Sequence, residues 1–193
     1  MSKITKQQLQ SYLWESANIL RGKIDSGDFK HYILGLLFYK RLSDVFDEEF
    51  QKLKEQVGEE LAGDKNLYAD VFFIPVGCHW NDILSTSTNI GAKINDVFSE
   101  VTRANVPRLD GILDKIDFND KDKLSDAAMS DLVNHFNIHK LGNEFITGDM
   151  LGDAYEYLIA QFADDAGKKG GEFYTPHQVV ELLVEILQPQ EGQ

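Results

Sequence analysis

The sequence has few of the features that restrict a chain to a special environment. Its single cysteine, Cys78, cannot form an internal disulfide, which suits a reducing compartment. Its longest mostly apolar stretches, such as Val71 to Asn81, cover about ten residues, half of what crosses a bilayer. The start of the chain contains Lys3 and Lys6 but no apolar segment typical of a secretory signal. These absences predict a cytoplasmic protein without a membrane segment.

Basic residues are also scarce, because 19 Lys and Arg stand against 32 Asp and Glu, giving a net charge of −13 over 193 residues. An acidic chain repels a phosphate backbone, which argues against autonomous, non-specific binding of nucleic acid. Residues 1–44 nevertheless contain seven Lys or Arg and only four Asp or Glu. A local DNA-facing strip is therefore a hypothesis, with a solvated helix face as the alternative. The candidate strip consists of Arg21, Lys23, Lys30, Lys40 and Arg41.

Hydrophobic spacing predicts helices along most of the chain, and 42% hydrophobic content is enough for a packed core. Thr5 and Gln8 form a capping box before a helix from Lys6 to Arg21. A longer helix follows, capped by Asp28 and ending at Gly58, in which Gly35 permits close approach of a neighbouring helix. Further helices are predicted around Ile94 to Val101, Leu109 to Ile116, Ala127 to Phe136 and Met150 to Ala163. The fold class is an all-α bundle of seven or eight helices, with at most a short strand or extended loop near 71–75.

Three short motifs resemble catalytic or metal sites but fit simpler interpretations. His135 and His139 have the i, i+4 spacing of a metal pair, but a zincin glutamate and a third ligand are missing, which favours surface or capping histidines. Asp117 to Asp122 has a lysine at the fifth position of a calcium loop and lacks its glycine, so we interpret it as a turn with a helix cap. Cys78 and His79 are adjacent and point apart, which favours a buried cysteine.

The most informative stretch lies near the end of the sequence. A polar, glycine-rich segment, 164–171, marks a boundary, and Phe173 and Tyr174 then precede Thr175 and Pro176, which suit a helix cap and a first helical position. The amides of a helix start favour an anion such as a carboxylate, although a loop held by two rings and a simple cap remains the alternative. The following helix has a wider apolar surface than a free helix would keep, which predicts a packing partner.

Several blocks resemble one known family. The string GGEFYTPHQVVELLVEIL is similar to the adenosylmethionine-binding motif of adenine-N6 DNA methyltransferases. The Asp153 to Ile159 segment and the opening LWESANILRGKIDSGDFKHYILGLLFYKRLSD resemble the modification (M) subunit of type I restriction-modification systems. FFIPVGCHW and the Leu109 to Leu124 segment extend the resemblance over the whole chain.

The resemblance implies a domain order. A helical N-terminal domain, 1–163, is followed by a glycine-rich linker, 164–172, and by the start of a doubly wound α/β methyltransferase domain, 173–193. The family's acidic, glycine-rich cofactor loop and its Asn-Pro-Pro motif do not occur in this sequence. We therefore expect an N-terminal piece of the subunit, without catalytic residues or a metal site, that is inactive alone.

The resemblance also implies the cofactor and the partners. S-adenosylmethionine would border Glu172, Phe173, Tyr174, Thr175, Pro176 and His177, with Thr175 and the following amides at its carboxylate. The partners would be a specificity subunit, a restriction subunit, a second copy of the modification subunit, and DNA. In that complex the helical domain would serve subunit assembly and DNA enclosure.

Two other classes of function stay open at this point. The chain could be an acidic helical adaptor that binds proteins and no cofactor. It could also be a mimic of DNA, whose carboxylates occupy a nucleic-acid site on a partner, although the Phe-Tyr-Thr-Pro block has no role in that hypothesis.

Overall fold

The computed structural model describes residues 3–24, 26–113, 115–165, 175 and 177–190, with side chains at all of these positions except 26–30, 162–165 and 177. Over these residues the chain forms eight α-helices and no strand, which confirms the predicted all-α class. The helices are α1 (Lys6–Leu20), α2 (Ser26–Val57), α3 (Glu59–Ala62), α4 (Trp80–Leu84), α5 (Ile90–Ala104), α6 (Asp126–Phe136), α7 (Gly148–Asp165) and α8 (His177–Leu187), with one 3₁₀ turn at Lys65–Leu67.

Helix α1 begins as the sequence predicts. The backbone N–H of Gln8 donates to Thr5 Oγ1 at 3.2 Å, and the backbone N–H of Thr5 donates to Gln8 Oε1 at 2.9 Å. This capping box uses two backbone donors that the first turn would otherwise leave unpaired. After α1 the chain reverses at Gly22, whose φ of +78° favours glycine.

Helix α2 is the longest element and lies at the centre of the fold. It begins at Ser26, two residues before the predicted cap Asp28, and ends at Val57, directly before Gly58, where φ is +88°. It packs against α1, α3, α4, α6 and α7. Its buried apolar side chains are Tyr32, Ile33, Leu36, Leu37, Tyr39, Leu42 and Phe46.

The segment 71–75 is an extended loop and does not form a strand. The side chain of Asn105, directly after α5, makes the hydrogen bonds to this loop that a neighbouring strand would otherwise make. Its Oδ1 accepts from the N–H of Phe73 at 2.8 Å, and its Nδ2 donates to the carbonyl of Phe73 at 2.8 Å. One amide thus pairs both backbone groups of Phe73 without a neighbouring strand, and the adjacent Ile74 is buried.

Two expectations about the middle of the chain are wrong. The described residues of the Leu109 to Ile116 segment, 109–113 and 115–116, do not form a helix, since 109–112 make successive turns and Gly111, with φ of +69°, interrupts helical geometry. Gly35 does allow a close approach, but of a loop. A Cβ at this position would lie 3.1 Å from both Ile116 Cδ1 and Phe118 Cζ.

Helix α7 joins the helical body through α1 and α2. Ala154 and Leu158 are buried in the common core, and Lys6 Nζ lies 2.6 Å from Asp153 Oδ2. None of the described helices is both long and apolar enough to cross a bilayer.

Candidate functional site

The predicted cofactor-binding block lies mostly outside the described residues. This applies to Glu172, Phe173, Tyr174 and Pro176. Thr175 is described and is exposed, directly before α8, and His177 is the first residue of that helix. The assignment of these residues to a cofactor therefore stays a prediction.

Helix α8 carries an apolar surface that is exposed. Seven of its apolar side chains are between 42% and 72% exposed. They are Val179, Val180, Leu182, Leu183, Val184, Ile186 and Leu187. So much exposed apolar area on one helix is typical of an interaction surface, in agreement with the predicted need for a packing partner.

Two residues of the predicted basic strip lie on the surface near the end of α1. Arg21 is exposed, with its guanidinium carbon 5.5 Å from the centre of the Trp14 ring. Lys23 is also exposed, with its Nζ 3.9 Å from Asp131 Oδ2. Lys30 lies in the first turns of α2, and its side chain is outside the described part of the chain. The contact of this strip with DNA stays a prediction.

The other two residues predicted to form the strip, Lys40 and Arg41, do not lie on its exposed face. The side chain of Lys40 is fully buried, donates to the Asp44 carboxylate and lies 5.6 Å from the centre of the Trp80 ring. Burial lowers the pKa of Lys40, and the Asp44 carboxylate opposes that shift. Arg41 is partly buried and donates to the Leu141 carbonyl, so neither side chain is available on an exposed face.

The FFIPVGCHW segment contains a His–Asp pair that the sequence did not indicate. His79 Nδ1 lies 2.8 Å from Asp47 Oδ1, which connects the start of α4 to α2. Hydrogen bonding to Asp47 raises the pKa of His79, partial burial opposes this, and the charges of Asp47 and Asp82 add to the increase. The adjacent Cys78 is buried, as predicted, and burial raises the pKa of its thiol.

The His79–Asp47 pair predicts a pH-dependent stability. Because the folded-state pKa of His79 is raised above 6.5, its contribution is complete below that pH and is lost as the pH rises through the raised pKa. Replacing Asp47→Asn should therefore lower the melting temperature most at acidic pH, and the difference from wild type should shrink toward pH ~8.5. Melting curves at several pH values measure this. Asp131→Asn, at the exposed pair with Lys23, is the control, and an Asp47→Asn difference independent of pH would contradict the prediction.

The two histidines of the HFNIH motif both pack against the ring of Tyr12. His135 is buried, not a surface or capping residue, and its Nε2 lies 2.8 Å from the carbonyl oxygen of Tyr12. Its ring stacks on Tyr12 at 4.6 Å, and His139 packs edge-on against the same ring at 5.0 Å. Among the described residues no group of three or more His, Cys, Asp or Glu side chains is arranged to hold a metal ion.

The Asp117 to Asp122 segment is a turn, as predicted. Asp117 Oδ1 accepts from Asn95 Nδ2 at 2.7 Å and from the N–H of Asn119 at 2.8 Å. These two bonds lower the pKa of the Asp117 carboxyl. The cap of the following helix is Ser125, whose Oγ accepts from the N–H of Ala128.

Comparison with known families assigns the chain. The model of the HsdM N-terminal domain matches residues 9–136, which is well over half of the sequence. The chain belongs to this family. The resemblance to type I modification subunits is thereby confirmed, and the adaptor and DNA-mimic hypotheses are disfavoured. A second family model, described as N-6 DNA Methylase, matches residues 146–193.

Individual relatives of this HsdM-family chain support the same family assignment. It is 28% identical to the type I restriction enzyme MjaIX methylase subunit of Methanocaldococcus jannaschii, over 96% of this chain and 36% of that protein. It is 30% identical to the MpnII methylase subunit of Mycoplasma pneumoniae, over 92% of this chain and 39% of that protein. The crystal structure of the type I restriction-modification system methyltransferase subunit from Streptococcus thermophilus is similar, with 31% identity and a TM-score of 0.66, over 94% of this chain and 44% of that one.

The HsdM-family chain therefore spans less than half of each of these relatives. The N-6 DNA Methylase match begins at 146, before α7, whereas the predicted helical domain, 1–163, contains most of α7. The boundaries at 1–163, 164–172 and 173–193 stay predictions.

Proposed function

We propose that this chain is the N-terminal part of a type I modification subunit that transfers a methyl group from S-adenosylmethionine to adenine N6 in DNA. The observation that carries the proposal is the pair of consecutive family matches, HsdM N-terminal domain at 9–136 and N-6 DNA Methylase at 146–193. The names of the relatives, all methylase subunits of type I restriction enzymes, support the same assignment.

In this proposal the chain's own residues hold one side of the cofactor. Thr175 is exposed where α8 begins, and the amides of the first helical turn suit a carboxylate, so the arrangement fits the methionine end of the cofactor. Glu172, Phe173, Tyr174, Pro176 and His177 complete this side. The bound cofactor supplies an activated methyl group, which the adenine amine accepts once the base has been taken out of the DNA stack.

The exposed apolar side chains of α8 have a clear role in this proposal. They pack against the methyltransferase domain of the whole protein, which also provides the glycine-rich loop and the Asn-Pro-Pro motif that this sequence does not contain. The helical body, α1 to α7, then acts as a scaffold in subunit assembly and DNA enclosure. It works in the cytoplasm with a specificity subunit, a restriction subunit and a second modification subunit.

Methyl transfer to DNA by the whole protein, combined with its specificity subunit, tests the proposal. DNA is incubated with S-adenosylmethionine, digested to nucleosides and analysed by mass spectrometry. We expect N6-methyladenine as the methylated base. Methylcytosine, or no methylated base in the presence of the correct specificity subunit, would overturn the assignment.

A further inference from the structure

One face of α2 holds the chain between α6 and α7. Asp44 Oδ2 accepts from the N–H of Leu141 at 2.7 Å, and Arg41 donates from one side to the carbonyl of the same residue. Both backbone groups of Leu141 are thus bonded to α2 side chains, while its own side chain is fully buried. Lys140 Nζ lies 3.6 Å from the second Asp44 oxygen.

Glu48, one helical turn further along α2, holds the next two amides. Its Oε2 accepts from the N–H of Asn143 at 2.6 Å, and its Oε1 accepts from the N–H of Glu144 at 3.3 Å. Gly142 leaves the space that the carboxylate occupies, since a Cβ there would lie 2.7 Å from Glu48 Oε2 and closer still to the rest of the group. A glutamine amide would offer one acceptor oxygen where the carboxylate offers two, so the two N–H groups could no longer each bond to an oxygen of their own.

The held segment leads directly into α7. The N–H groups of Phe145 and Ile146 both donate to the Gly142 carbonyl at 3.1 Å, forming a tight turn. Thr147 then caps the helix, with its Oγ1 accepting from the N–H of Met150 at 3.3 Å. No free linker therefore separates the residues bonded to α2 from the first turn of α7.

We propose that Arg41, Asp44 and Glu48, the α2 clamp, are positioning residues that fix where α7 begins against α1 and α2. The clamped residues, 140–144, lie between the two family matches: the HsdM N-terminal match ends at 136, and the N-6 DNA Methylase match begins at 146. Resting on the proposed function, the inference is that the clamp fixes α7, and with it the point on the scaffold from which the 164–172 linker leads to the cofactor-binding element and the methyltransferase domain.

Glu48→Gln tests the clamp in this chain. Hydrogen exchange of the Asn143 and Glu144 amides, followed residue by residue, should become at least about tenfold faster, because one or both bonds to the carboxylate are lost. Glu49→Gln is the matched control on the same helix, since the Glu49 carboxylate pairs with Lys52 at the surface, 3.5 Å away. Unchanged exchange in Glu48→Gln would overturn the proposal.

A distance measurement separates positioning from simple stabilisation. Spin labels are placed on Ser99→Cys and Gly152→Cys, which are exposed on α5 and α7, while Cys78 is buried and remains unlabelled. Glu48→Gln should broaden the distribution of distances between the labels, and Gly142→Ala, which displaces the carboxylate, should do the same. A lower melting temperature with an unchanged distribution would mean that the clamp only stabilises, and would refute the inference.

Methyl transfer by the whole protein provides a separate readout. Because small misplacements of reacting groups are costly, Glu48→Gln should lower kcat about tenfold and leave the KM for S-adenosylmethionine unchanged. Wild-type protein without methyltransferase activity would refute the proposed function but leave the exchange and distance results valid. A wild-type kcat in Glu48→Gln would refute the positioning role alone.

Discussion

Replacement of Lys40 by methionine is expected to lower the free energy of unfolding by about 3–5 kcal/mol. Lys40 and Asp44 are, respectively, 0% and 2% exposed, and their ion pair lies inside the core. Methionine has a similar length and fills the same space, so the loss measures the charge and not a cavity. It leaves the Asp44 carboxylate buried, with the N–H of Leu141 and the more distant Lys140 as its remaining partners.

Urea unfolding followed by circular dichroism measures this effect. Lys52→Met is the matched control, because Lys52 forms an exposed pair with Glu49 and should change stability by at most about 0.5 kcal/mol. The double variant Lys40→Met with Asp44→Leu should lose clearly less stability than the sum of the two single variants, since neither buried charge of the pair is left without its partner. Equal stabilities of Lys40→Met and Lys52→Met would show that the pair contributes nothing.

Gly91→Ala should be strongly destabilising. Gly91 is buried in the first turn of α5, where the backbone of the 117–122 turn passes directly against it. A Cβ would lie 2.7 Å from the carbonyl carbon of Phe118, closer to its oxygen, and 3.0 Å from Asn119 Cα. Because the obstacle is backbone, the turn or the helix must shift, and we expect a loss of about 3 kcal/mol.

The control for this substitution is another helical glycine with open space around it. Gly152 on α7 is exposed, and a Cβ added there would meet no neighbouring atom within 4 Å. Gly152→Ala should therefore raise stability by about 0.5–1 kcal/mol through helix propensity alone. Thermal and urea unfolding of both variants distinguish the two effects. A neutral Gly91→Ala would mean that α5 and the 117–122 turn are not packed this closely.

Local signals allow much of the fold to be predicted. The capping box at Thr5 and the apolar periodicity of α1, α6 and α7 depend on residues within one or two turns of each other. The same reasoning predicts a helix at Leu109 to Ile116, where the apolar spacing is helical but Gly111 takes a positive φ. Leu109 and Leu113 are buried there without a helix. The apolar spacing therefore predicts correctly which side chains face the core, but not the backbone conformation that places them there.

Interactions between distant parts of the sequence could not be predicted. For Lys40 and Asp44 the sequence does contain a local signal: they lie on the apolar stripe of α2, four and eight residues after Leu36, which indicates that both side chains face the core. Asp44 accepts from the N–H of Leu141, about a hundred residues away, and no local pattern indicates that contact. The cofactor motif is different, because its residues are contiguous and its resemblance to known methyltransferases can be seen in the sequence alone.

Transfer of tritium from labelled S-adenosylmethionine to DNA tests the central claim most directly. The assay is run with residues 1–193 alone and with the whole protein, each in the presence of the specificity subunit. We expect labelled DNA only with the whole protein, because in the proposed function this chain supplies the scaffold and one side of the cofactor site but no group that holds the adenine. Labelled DNA with residues 1–193 alone would contradict the account.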